Sequence, residues 1–145
     1  MSAEVHTLQP ELIALGVTRE WLHDHKIVVF HITDQKQAAV DAWLGATKDA
    51  LDGWPESDTP RILHHLERLG TPSQASYTNR KIAELHRSYF IVRKMRIATL
   101  LRSPTLVGLI RVMAQVGTLS MPNNANIIPS AFSDREKAIA WLLEV

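Results

Sequence analysis

Seven histidines are the residues of this chain most able to do chemistry: His6, His23, His25, His31, His64, His65 and His86. Imidazole can ligate a metal or carry a proton near neutral pH. His23 and His25 flank Asp24, and alternate residues on an extended chain share a face, so this pair is the natural candidate for a metal grip. A polar turn has the same composition, however, and no His-Glu-x-x-His helix motif is present. No metal site is expected on this basis. His64 and His65 are adjacent on a strand and point to opposite faces, which turns one of them toward a core.

Other chemistries lack their signatures. There is no Gly-x-Ser-x-Gly elbow for a serine hydrolase and no Walker or Gly-x-Gly-x-x-Gly loop for phosphates. Asp34 and Glu67 fall at strand ends but form no acid–base pattern. The chain has no cysteine, hence no disulfide and no thiolate nucleophile. No catalytic residue and no cofactor are expected, and the chain reads as a non-enzyme.

The string "GTPSQASYTN" (Gly70 to Asn79) carries Ser73 and Ser76 among its hydroxyls. Thr71 fits an N-cap, Pro72 the first helical position and Gln74 the third, so the string reads as a capping box opening a helix. A phosphate on Ser73 or Ser76 would sit in a first helical turn, where negative charge is favoured.

The elements that position these residues follow from periodicity. Val17–Leu22 and Ile27–Ile32, joined by the polar "HDHK", read as a β-hairpin. Val40, Trp43, Leu44, Thr47 and Leu51 mark a helix, with Asp34 and Gln37 as its capping box. Arg61–Glu67 is a strand, Ser73–Phe90 a helix, Lys94–Arg102 a strand and Ser103–Gly117 a helix. Ile127–Phe132 is a strand that Pro129 pushes toward the sheet edge, and "SDREKAIAWLLEV" closes the chain as a helix. Residues 1–16 read as an N-terminal arm, with a short helical turn from Pro10 to Gly16. Alternating strands and helices after a hairpin imply a single α/β domain over residues 17–145. Its mixed sheet has about five strands, packed by about four helices.

Two surfaces stand out. In the helix over 103–117, only Arg111 and Gln115 are strongly polar between Leu106 and Val116. Leu106, Leu109, Ile110, Met113 and Val116 therefore form more apolar surface than one sheet face needs, which suits a protein partner or self-association as a homodimer. The alternative cover is the arm, through Leu8, Leu12, Ile13 and Leu15. From Arg80 to Arg111 there are eight basic residues against Glu84 alone. Nucleic-acid binding would interleave aromatics there, and Tyr77, Tyr89 and Phe90 do so poorly. Trp21, Trp43, Trp54 and Trp141 read as core packing rather than a stacking platform. No apolar run reaches the ~18–20 residues of a membrane span, and no secretory leader is visible, so a cytoplasmic location is expected.

The element order, with the strings "VTREWLHDHKIVVFHIT", "KMRIATLLRSPTLVGLIRV" and "SDREKAIAWLLE", resembles the STAS superfamily (sulfate transporter and anti-sigma factor antagonist domains) over about Val17 to Val145. The resemblance implies a non-catalytic regulatory or scaffolding module that binds a protein partner and is switched by serine phosphorylation at the start of the helix after the third strand. Ser73 and Ser76 occupy that place, within "LERLGTPSQAS", which has neither the Asp before the hydroxyls nor the Ser-Gly pair usual there. The wider fold group also implies an alternative, a carrier of a lipid or other apolar small ligand in a pocket beneath the helices.

Overall fold

A computed structural model describes residues 10–67, 71–89, 94–102 and 127–144. Six strands and three helices lie among the described residues: β1 (Glu11–Ala14), β2 (Val17–Leu22), β3 (Ile27–Ile32), α1 (Gln37–Asp52), β4 (Arg61–Leu66), α2 (Pro72–Tyr89), β5 (Met95–Leu100), β6 (Ile127–Phe132) and α3 (Arg135–Leu143). The strands form one sheet in chain order, β1-β2-β3-β4-β5-β6. The first two pairings are antiparallel and the next three parallel. The α/β class and the mixed sheet agree with the sequence reading; the sheet has six strands rather than about five, and three of the four expected helices lie among the described residues. The fourth expected helix, over 103–117, lies outside the described residues.

The extra strand is β1, where a helical turn was expected. Gly16 adopts φ +85°, a left-handed conformation open to glycine, and reverses the chain so that Leu12 pairs with Thr18 and Glu11 with Arg19. A Cβ on Gly16 would lie 2.5 Å from the Cβ of Asp34, so the tight turn also requires the missing side chain. Arg19 seals the edge by donating to Glu11 Oε1 at 2.8 Å. Leu12 and Leu15 point to solvent, while Ile13 packs on the core.

Helix starts follow local chemistry. In α2 the capping box forms as expected: Gln74 N donates to Thr71 Oγ1 (3.2 Å) and Thr71 N to Gln74 Oε1 (2.9 Å). The box expected at α1 does not form. Asp34 Oδ1 instead accepts from Lys36 N, two residues on, and the helix begins at Gln37 behind Lys36, with no side-chain cap. Asp34 turns the chain rather than capping the helix. At α3 the cap is Asp134, accepting from Glu136 N and Lys137 N.

The two sheet faces differ. Val28, Phe30, Ile32, Ile62, Met95 and Ile97 are buried under α1 and α2, around a fully buried Trp43. Successive parallel crossovers in one direction place both helices on one side. Ile27, Val29, Leu63, Ala98 and Leu100 form the core of the opposite face with Ala138 and Leu142 of α3. Arg61 fastens α3 there, its Nε donating to Leu142 O (2.9 Å) and its NH1 to Asp58 Oδ1 (3.0 Å). Burial alone would raise the Asp58 carboxyl. Hydrogen bonds from Arg61, Trp54 and Thr59 outweigh it and hold the carboxyl below its ordinary value of 3.8.

Candidate functional site

The side chains that converge most closely lie at the carboxyl ends of the parallel strands, on the face that carries α3. Open α/β sheets present ligand-binding groups at this end. His31 is the next-to-last residue of β3 and His65 the next-to-last of β4. The parallel register sets them side by side. Their rings stack with centroids 4.4 Å apart at 18°. Glu67 follows β4 directly, and its backbone N–H donates to Ile32 O (3.0 Å), which ties it to the end of β3.

The Glu67 carboxylate divides its two oxygens. Oε1 accepts from His31 Nε2 at 2.8 Å and lies 3.9 Å from His65 Nε2. Oε2 pairs with Arg102, just beyond β5, at 3.0 Å. The His31 hydrogen bond lowers the Glu67 pKa; burial opposes it, and Arg102, His31 and His65 add to the lowering. Burial lowers the His65 pKa, helped by the nearby His31, Arg135 and Arg102 against the pull of Glu67. An ionised carboxylate beside a neutral imidazole is the resulting state near neutral pH. Arg135, at the start of α3, is itself held by Glu20 of β2 at 3.0 Å. His65 and Glu67 are about one-fifth exposed and His31 somewhat more, so the cluster is sheltered yet open to solute.

His64, the neighbour of His65, has the opposite fate. It is buried on the α1–α2 face and accepts a hydrogen bond from Trp43 Nε1 at 2.9 Å on Nδ1. The indole meets the imidazole edge-on. It is a satisfied core histidine, the partner that an indole N–H needs when buried.

The residues singled out from sequence are spread apart. Ser73 and Ser76 are exposed in the first turns of α2, which contains no acidic residue in its first turn. Leu106, Leu109, Ile110, Met113 and Val116 lie outside the described residues. His23, Asp24 and His25 all take positive φ in the β2–β3 turn, and His25 packs on Trp21. Among the described residues, the one group of three convergent metal-ligating side chains is His31, His65 and Glu67. The basic stretch divides as well. Arg80 and Lys81 lie over the Tyr77 ring on α2, whereas Arg96 stacks on Trp141 across the sheet and Arg102 joins Glu67.

Sequence reasoning passed over the His31–His65–Glu67 cluster. A signal was present: two histidines near the ends of strands inferred to be parallel, with Glu67 ending the second. It became a site only through the register between those strands.

No family model, curated protein or solved structure matches the chain. No helix among the described residues is long and apolar enough to cross a membrane.

Proposed function

We propose that the chain is a non-catalytic, STAS-like regulatory or scaffolding module that works through protein contacts, in the manner of an anti-sigma factor antagonist. The observation that carries this reading is the exposure of Ser73 and Ser76 at the start of α2, directly after β4. This is the place where the superfamily resemblance puts its phosphorylated serine. Phosphate there would lie at the positive end of the helix dipole, with no first-turn carboxylate to repel it. The β2–β3 hairpin followed by α1-β4-α2-β5 supports the same assignment. Contact with a partner or a second copy is assigned to the apolar residues Leu106, Leu109, Ile110, Met113 and Val116.

Among the described residues, the space beneath α1 and α2 does not favour the carrier alternative. The cavity lined by Leu44, Leu51, His64, Ile82, Leu85 and Met95 has a volume of about 10 Å³. That is room for about one water, not for an acyl chain.

The test combines phosphosite mapping of the chain isolated from its own cells with sedimentation of the purified protein. Phosphate on Ser73 or Ser76, and an assembly weakened by Leu109→Arg or Met113→Arg, are the expected results. An unmodified α2 peptide together with a strict monomer indifferent to both substitutions contradicts the reading.

A further inference from the structure

We propose that His31, His65 and Glu67 form a binding site for a divalent transition ion of the zinc type. The donor set is two imidazole nitrogens and one carboxylate oxygen, within 4.8 Å of one another. This mixture suits Zn²⁺ and its borderline neighbours, whereas Mg²⁺ and Ca²⁺ take oxygen ligands almost throughout.

The distances are those of a site that closes by movement of its side chains alone. Tetrahedral zinc with bonds near 2.0–2.1 Å sets its ligand atoms about 3.3 Å apart. His31 Nε2 and Glu67 Oε1 stand at 2.8 Å, and His65 Nε2 and the same oxygen at 3.9 Å. These two separations each need to change by about half an ångström, one opening and one closing, and the two imidazole nitrogens, within 4.8 Å of each other, must come to the same spacing. The stacked rings must also turn apart so that both nitrogen lone pairs aim at the ion. The proton that His31 Nε2 donates to Glu67 moves to Nδ1 or to solvent as the ion replaces that hydrogen bond.

The framework supports such a site. His31 and His65 stand on paired strands, and Glu67 is pinned by its own backbone bond to β3. Arg102 holds Glu67 Oε2 and leaves Oε1 turned toward the imidazoles. This is the outer partner that orients a metal-binding carboxylate. A fourth ligand would be water or a side chain brought by a partner. The positive charges of Arg102 and Arg135 make the site weaker than a closed four-ligand one. The inference stands independently of the STAS-like reading, since it uses neither the serines of α2 nor self-association.

Cobalt titration of the full chain tests it. Co²⁺ alone should give one equivalent of visible absorption typical of low coordination number, displaced by Zn²⁺. His31→Gln, His65→Gln and Glu67→Gln should each weaken binding more than about tenfold, the lower range found even for outer partners. The double substitution of His23 and His25 by Gln should leave binding unchanged. Near-ultraviolet dichroism of the tryptophans reports whether each variant is folded. If a ligand variant fails to fold, the histidine ring NMR signals of the wild-type chain decide, with His31 and His65 responding first to Zn²⁺. A wild-type chain that takes up neither ion, binding that survives the three substitutions, or first response at His23, His25 or His86 overturns the proposal.

Discussion

His64 and His65 are consecutive, yet the sheet makes them different groups. His64 faces α1 and α2, where it is sealed from water and bonded to Trp43. His65 faces the other way, stacks on His31 and stands beside an ionised Glu67. The strand's alternation of side chains creates the difference, and the covering elements fix it. On one face two helices lie over the strands. On the other, the packing of α3 on the described strands runs through Ala138 and Leu142, while its first turn carries Arg135 to Glu20. The same residue type therefore serves packing on the closed face and is available for chemistry on the open one.

The contrast can be broken most severely at its closed side. Trp43→Ala removes a fully buried indole and is expected to cost about 3–5 kcal/mol in denaturant unfolding. A loss below about 1 kcal/mol would mean that the closed face is not packed as described.

Next in size is the histidine pair itself. His64→Leu leaves the Trp43 N–H buried without its acceptor and should cost about 1–3 kcal/mol. His65→Leu, at a partly open position, should fall within about 0.5 kcal/mol of wild type. Equal losses at the two positions would erase the distinction.

Thr71→Ala probes the start of α2, part of the cover of the closed face. Loss of the capping box should cost about 1 kcal/mol, while Ser73→Ala and Ser76→Ala, at exposed sites, should be nearly neutral. Unequal behaviour of the two serines would point to a structural role for one of them.

The smallest effect concerns the anchor of α3. Asp58 holds Arg61, which in turn holds the carbonyl of Leu142. Because the folded-state pKa of Asp58 is depressed, its contribution is present above the ordinary value of 3.8 and is lost as pH falls through the folded value. Asp58→Asn should thus cost stability near neutral pH, by about 0.5–1 kcal/mol, and the gap from wild type should close in acid. A gap that widened in acid would contradict the sign of the shift.

Much of the fold was legible because it is local. The bounds of β2 and β3 follow from β-branched runs around a polar turn, and the start of α2 from Thr71, Pro72 and Gln74. β1 was not legible. "ELIA" is short, and it becomes a strand only because Gly16 folds it against Thr18 and Arg19. Asp34 illustrates a competition that composition cannot settle, since the same carboxylate can cap a helix or close a turn onto Lys36. The candidate site was illegible for a different reason. His31 and His65 are 34 positions apart, and a one-residue change of register would place them on opposite faces. Only the pairing of β3 with β4 turns two ordinary strand residues into neighbours.

Histidine acylation mapped by mass spectrometry compares the two faces most directly. In the native chain His65, along with His31, should be modified while His64 stays protected until the protein unfolds. Modification of His64 at a rate matching His65 under native conditions would contradict the account.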